Sequence, residues 1–326
     1  MRQISTFAVV ILAPAALAAG PATGEEYSTE KVDVVTSIVA EGLDHPWGLD
    51  FLPDGMAVVT ERSGTLRLVN ADGTLSEPVE GVPEVSARGQ GGLLDVAVAK
   101  DFAQSGRIFF TFSEPGTGGA GTAIAGARLV RDGAAARLED MRVLFSMPKK
   151  TGKGQHFGSR IVLHPDGTVF FTTGDRGEGP RAQDRTDAAG AVLRINADGS
   201  VPADNPYADG RGGALPQIWS KGHRNPQGFA IDRDGKLWTV EHGAQGGDEV
   251  NTPEAGKNYG WPEISYGQNY GGGQIGVGTK APGFEQPVHY WDPSIAPSGL
   301  VVYEGAMFPE WRGDLIAGAL KFQLLS

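Results

Sequence analysis

From residue 31 onward the chain is patterned as short apolar runs broken by Gly, Pro and Asp, with little helical periodicity. One unit recurs: an apolar run, a Pro-Asp-Gly or similar turn, then a second apolar run. It appears as Gly48-Leu49-Asp50-Phe51-Leu52-Pro53-Asp54-Gly55 before Ala57-Val58-Val59-Thr60. It returns as Ile161-Val162-Leu163-His164-Pro165-Asp166-Gly167 before Val169-Phe170-Phe171-Thr172, and as Phe229-Ala230-Ile231-Asp232-Arg233-Asp234-Gly235 before Leu237-Trp238-Thr239-Val240. Looser copies pair Leu94–Val98 with Ile108–Thr111, and Leu300–Tyr303 with Asp314–Ala317. Asp-Gly between such runs predicts a hairpin, because the turn needs positive φ there.

The copies follow one another at intervals of roughly 50–65 residues, close to a propeller blade lengthened by insertions. A sandwich would seldom repeat one hairpin signature so widely, and a β-helix has much shorter repeats. The prediction is an all-β, six-bladed β-propeller whose last blade is incomplete in this chain. Five copies are visible, the fifth begins near Pro297, and the chain stops in the apolar run at 319–326. A ring must join its ends to hide sheet edges, and Lys31 to Ala40 reads as a strand available for that joint.

Composition changes this picture in three places. The 49 Gly of 326 residues suit tight turns and crowded strands beside a central channel. Absence of Cys excludes disulfides, a thiolate nucleophile and Cys-type metal sites. A net charge of −11 argues against nucleic acid as a partner, since that needs cations to displace counterions. At the N-terminus, Arg2, the apolar run from Phe7 to Leu17 and Ala16-Leu17-Ala18 read as a signal peptide over 1–18. Residues 19–30 then form a flexible segment and 31–326 a C-terminally truncated propeller domain. The apolar run is too short to span a bilayer, so the expected location is the periplasm, with no membrane span.

The candidate chemistry flanks the second and third clear hairpins. His156 lies ten residues before Asp166 in the turn, and Asp175 nine after. An antiparallel hairpin sets such positions opposite each other. A carboxylate beside an imidazole fixes its tautomer and raises its basicity, as a general base requires; the alternative is a surface His near a turn Asp. Lys221 to Gly228 enters the third hairpin and Trp238 to Asn251 leaves it, so both are expected at the same end. The first brings Arg224 and Asn225. The second brings Gly-rich carbonyls with Asp248 and Glu249, either a hard-cation loop or plain turn chemistry. Gly89-Gln90-Gly91-Gly92 is weak by itself and lacks the setting of a dinucleotide fingerprint.

Taken in order, Gly89-Gln90-Gly91-Gly92-Leu93, His156-Phe157-Gly158-Ser159-Arg160, Thr173-Gly174-Asp175, Gly222-His223-Arg224-Asn225-Pro226-Gln227-Gly228, Glu241-His242-Gly243 with Asp248-Glu249-Val250-Asn251, and Asn258-Tyr259-Gly260-Trp261-Pro262 resemble the soluble PQQ-dependent aldose sugar dehydrogenases of the glucose/sorbosone dehydrogenase family. The resemblance implies a six-bladed propeller that oxidises the anomeric hydroxyl of an aldose to a lactone, with hydride transfer to pyrroloquinoline quinone (PQQ). It implies His156 as base, oriented by Asp175. Gln90, Arg224, Asn225 and Lys321 would contact the cofactor. A Ca²⁺ ion would sit on the carbonyls of Gly243 and Ala244, with Asp248 and Glu249 supporting that loop. Arg, Lys and Ca²⁺ would neutralise the carboxylates of the cofactor. Ala244 stands where some members carry Pro, and the chain ends before further Arg residues usual in the family. The electron acceptor is unspecified. Two other classes fit a propeller: a metal-dependent lactonase, which needs carboxylate and amide ligands converging from several blades, and a non-catalytic binding module.

Overall fold

The structure is a computed structural model that describes residues 24–133 and 135–326. The expected signal peptide at 1–18 lies outside the described residues. Strands β1 (Glu26–Ser28) and β2 (Asp33–Val35) form a small antiparallel hairpin, so part of the segment expected to be flexible is paired.

Five antiparallel sheets follow, each taking its strands in chain order. The first holds β3 (Pro46–Phe51), β4 (Ala57–Glu61) and β5 (Thr65–Val69). The second holds β6 (Leu93–Val98), β7 (Arg107–Gly116), β8 (Gly119–Asp132) and β9 (Ala135–Ser146). The third holds β10 (Ile161–Leu163), β11 (Thr168–Thr173), β12 (Ala191–Asn196) and β13 (Ile218–Lys221). The fourth holds β14 (Pro226–Ile231), β15 (Leu237–Glu241), β16 (Asp248–Asn251) and β17 (His289–Trp291). The fifth holds β18 (Pro297–Val302), β19 (Leu315–Ala319) and β20 (Leu324–Leu325). The first strands of successive sheets are neighbours: β3 beside β6, β6 beside β10, β10 beside β14, β14 beside β18. This is a propeller arrangement of five blades, and the expectation of six is corrected. Each hairpin copy builds one blade, and residues 31–40 supply only β2, which pairs with β1. Lys31 does reach the fifth blade's β18–β19 connection, with Nζ 2.5 Å from Asp314 Oδ2, but adds no strand to it. Val301 of the fifth blade and Phe51 of the first remain exposed.

The central strands β4 and β11 of the first and third blades are covered on both faces: they are buried at every position, their threonines included. The core therefore lies in the seams. Val58 and Leu66 of the first blade pack with Phe110 and Phe112 of the second. Phe109 and Ile124 pack with Phe171 and Leu193 of the third, and Val162 and Phe170 with Phe229 of the fourth. Val240 and Val250 then meet Ala317 of the fifth. The second strand of each of the first three blades also carries a threonine that donates across the seam. Thr60 donates to Leu94 O, Thr111 to Ser159 O at 2.6 Å, and Thr172 to Pro226 O at 3.1 Å.

At the centre, Arg160 joins the blades. Its Nη1 lies 3.0 Å from Asp95 Oδ1 of the second blade, and its Nε donates to Gln227 O of the fourth at 2.7 Å. Its guanidinium sits 4.2 Å from the ring centroid of Trp47 in the first blade. Asp95 also accepts Ile161 N at 2.8 Å. The predicted hairpin turns form at the opposite end from the loops described next, with Gly55, Gly167 and Gly235 at φ 88°, 88° and 84°.

Candidate active site

The loops at the other end of the second, third and fourth blades converge as the hairpin symmetry predicts. The β10–β11 ladder pairs Ile161 with Phe171 and Leu163 with Val169. Continued past the strand ends, that register sets His156 beside Asp175. The imidazole Nδ1 lies 2.6 Å from Asp175 Oδ1, and both residues are buried. Asp175 Oδ1 also accepts Gly177 N at 2.6 Å, and Oδ2 accepts the indole Nε1–H of Trp261 at 2.8 Å. Burial raises the Asp175 pKa, but the His156 hydrogen bond and charge, with the Gly177 and Trp261 donors, outweigh it and hold the carboxyl below its usual value. An ionised carboxylate only accepts, so His156 Nδ1 carries a proton, and in the neutral ring the lone pair is left on Nε2.

The backbone here is strained and tightly packed. His156 and Arg176 both take left-handed φ, 55° and 58°, a conformation that costs a non-glycine residue on the order of 1–3 kcal/mol and survives only when its surroundings enforce it. The enforcement is visible. Gln90 Oε1 accepts His156 N at 2.7 Å, and Gln90 N donates to Gly154 O at 2.7 Å. Arg176, wholly buried, donates to the carbonyls of Gln155 and Lys153 and stacks 3.4 Å from the Phe157 ring centroid. A Cβ on Gly174 would lie 2.3 Å from His156 O and 2.9 Å from Asn225 Oδ1, so glycine is what lets the fourth blade approach this pair.

The fourth blade brings Arg224 and Asn225. Arg224 O accepts Asp175 N at 2.8 Å, and Asn225 Oδ1 accepts Gly158 N at 3.1 Å. The Arg224 guanidinium lies 5.2 Å from the Trp261 ring centroid and makes two long contacts, to His242 O at 3.3 Å and Tyr270 OH at 3.4 Å. Its Nε is buried without a partner, as is His242 Nε2. These two unpartnered nitrogens belong to a cleft lined by Arg224, Glu241, His242, Gly243, Glu249 and Trp261. Burial pushes the His242 imidazole pKa down. Glu241 is spent internally, on His223 Nδ1 at 2.8 Å, Arg224 N at 2.6 Å and Asn251 at 3.0 Å.

Asp248 supports the next loop. Its Oδ1 accepts Gly243 N at 2.9 Å, and its Oδ2 accepts Ser294 Oγ, Ile295 N and Ala296 N at 2.6, 2.8 and 2.9 Å. A Cβ on Gly243 would come within 2.1 Å of Gly246 O. Among the described residues the carbonyls of Gly243 and Ala244 accept no hydrogen bond. Glu249 is pushed up to about 8 by burial and by Glu241 and then Asp248 beside it. No three His, Asp or Glu side chains among the described residues converge as a ligand set.

His156, Asp175, Gln90, Arg224, Asn225, Gly243, Ala244, Asp248 and Glu249 are thus gathered at one end. Lys321 is not brought into contact with them: its backbone N donates to Ile295 O at 3.1 Å, beside the Asp248 cradle, while its Nζ lies over Phe322. Trp261, Glu241 and His242 stood within quoted motifs but carried no assigned role. Only the folded loops reveal an indole donor aimed at Asp175.

Residues 43–326 match the family described as Glucose / Sorbosone dehydrogenase. The chain belongs to the glucose/sorbosone dehydrogenase family. It is 44% identical to the aldose sugar dehydrogenase YliI of Escherichia coli (strain K12), over 98% of this chain and 85% of that protein. The soluble aldose sugar dehydrogenase from Escherichia coli, solved in its apo form, superposes with a TM-score of 0.84 at 43% identity, covering 88% of this chain and 86% of that one. The PQQ-bound aldose sugar dehydrogenase from Streptomyces coelicolor superposes with a TM-score of 0.73 at 30% identity, covering 94% and 81%. The resemblance read from the ordered segments, to a PQQ-dependent aldose sugar dehydrogenase, is borne out for this member of the family.

Proposed function

We propose that this glucose/sorbosone dehydrogenase is a periplasmic enzyme that oxidises the anomeric hydroxyl of aldoses to lactones, with His156 as general base and with PQQ and Ca²⁺ as its cofactors. The observation that carries the reading is the buried His156–Asp175 pair next to a cleft that holds an under-satisfied arginine. Asp175 holds the proton on Nδ1 and leaves Nε2 free to take the proton of a sugar hydroxyl; as the proton arrives, the adjacent carboxylate stabilises the imidazolium.

The residues present fit the cofactor. Arg224 has a buried Nε with no partner and two long contacts at its other nitrogens, which suits a guanidinium that waits for an anionic group. Gln90 and Asn225 would complete that wall, and Lys321 would have to turn from Phe322 to join it. The free carbonyls of Gly243 and Ala244 suit a hard cation, and Asp248 and Glu249 shape their loop rather than ligate. When bound, PQQ supplies the two-electron acceptor that the side chains lack. The site loops exclude water from the pair and orient the sugar against Nε2.

The test is dye reduction by aldoses, using the purified chain with added PQQ and Ca²⁺. His156→Ala should lower turnover by about 10²–10⁴-fold with little change in PQQ binding. Parent-like turnover would remove His156 from the chemistry. Chelation of Ca²⁺ should release PQQ; unchanged binding would refute the carbonyl site.

A further inference from the structure

Asp175 has two oxygens, and the proton pair needs one of them to face His156. Oδ1 does, at 2.6 Å. The rotation that would swap the oxygens is blocked by whatever holds Oδ2, and its donor is the indole Nε1–H of Trp261 at 2.8 Å. Trp261 comes from the long connection between β16 and β17 in the fourth blade, 86 residues along the chain from Asp175. The third blade and its approach to the fourth fix that backbone. Trp261 N donates to Gly222 O at 2.9 Å, and Trp261 O accepts Gln183 Nε2 at 2.7 Å. Gly179 closes on the indole edge: a Cβ there would lie 3.2 Å from Pro262 and 3.5 Å from Trp261 Nε1. The same ring lies 5.2 Å from the Arg224 guanidinium. One side chain therefore touches both the carboxylate that orients the base and the cation of the cleft.

We infer that Trp261 is a positioning residue of the sugar oxidation: its indole N–H locks the Asp175 carboxylate so that neutral His156 keeps its proton on Nδ1 and its lone pair on Nε2, while its ring face seats Arg224. This rests on the reading of His156 as base. The physical reason is specific to tryptophan. Its N–H is a donor with no acceptor function, so it can satisfy an ionised carboxylate and cannot compete with His156 for the proton. A phenylalanine would keep the ring against Arg224 and lose the donor. A leucine would lose both.

The experiment uses the full chain labelled with ¹⁵N-histidine, in which the ring nitrogens report the tautomer directly by NMR, together with steady-state kinetics on aldose in the presence of PQQ and Ca²⁺. In the parent, the His156 Nδ1 signal should be that of a protonated nitrogen and Nε2 that of a bare one. Trp261→Phe should mix the two tautomers and lower kcat by about 10-fold or more with KM for sugar little changed, since general-base assistance is worth more than that. Trp261→Leu should show the same mixing and also weaken PQQ binding. A parent-like tautomer in Trp261→Phe overturns the inference even if activity falls, because a merely structural role would leave the ring nitrogens unmoved. Parent-like turnover in Trp261→Phe also overturns it. If instead His156→Ala keeps full turnover, the base reading fails, while the tautomer readout still reports whether Trp261 sets the Asp175 geometry.

Discussion

Replacing Arg160 by Met removes the charge at the centre of the propeller but keeps most of the apolar stem. The loss is worked from its contacts. Its ion pair with Asp95 is nearly enclosed, with side-chain exposures of 18% and 9%. Removing one partner of such a pair costs about 3–5 kcal/mol, because the other charge stays buried. Loss of the stack on Trp47 adds about 0.5–2 kcal/mol. The Gln227 carbonyl, left without its donor, adds about 1–3 kcal/mol. These terms overlap, and a total near 5 kcal/mol is expected. The cost has a pH signature. Burial already pushes the Asp95 carboxyl up against the opposing pull of Arg160, and without Arg160 it rises further. A carboxyl raised in the folded state favours folding below its unfolded pKa, and that advantage is lost as pH rises through the folded value. The Arg160→Met deficit should thus be several kcal/mol at pH 8 and clearly smaller at pH 5, read from urea unfolding midpoints at both. Adding Asp95→Asn should recover part of the pH 8 loss. A deficit below about 1 kcal/mol, or one equal at the two pH values, would refute the hub argument.

Two further outcomes follow from the site. Asp175 is held below its usual pKa by its donors against burial. Its contribution is present above the unfolded carboxylate value of about 3.9 and is lost as pH falls through the lower folded value, so Asp175→Asn should remove that part of the acid-unfolding curve. Gly174→Ala forces a methyl to within 2.3 Å of His156 O; it should cost about 1–3 kcal/mol of stability and lower turnover, and a crystal structure with His156 unmoved and parent-like turnover would count against the packing argument.

Much of this was readable along the chain because hairpins obey a count. Residues at nearly equal distances on either side of the Asp166 turn are brought together, and His156, ten before, meets Asp175, nine after. The blade pattern was equally legible, since strands such as β4 and β11 are buried on both faces and carry runs of consecutive apolar residues, Ala57-Val58-Val59 and Val169-Phe170-Phe171. The number of blades was misjudged because a ring's closure is a non-local property: Lys31 to Ala40 has strand composition, yet its only ladder is with β1. Lys321 illustrates a different limit, since a motif match locates a backbone and not the direction of a flexible side chain. Trp261 was hidden for a related reason. Its partner lies 86 residues away, and nothing in the spacing tells an indole that packs from one that donates.

The Asp-Gly turns at 54–55, 166–167 and 234–235 bear on how the molecule could be wired. They stand at the far end of the blades from the cleft, and a side chain added at Gly55 or Gly167 would touch nothing within 4 Å. The chain contains no cysteine, so a single thiol placed at Arg233 or Asp234, both exposed in the third of these turns, would be its unique soft handle. Attached to an electrode through either, the molecule would stand with its chemistry facing the solution, and sugar would reach every copy without hindrance from the surface.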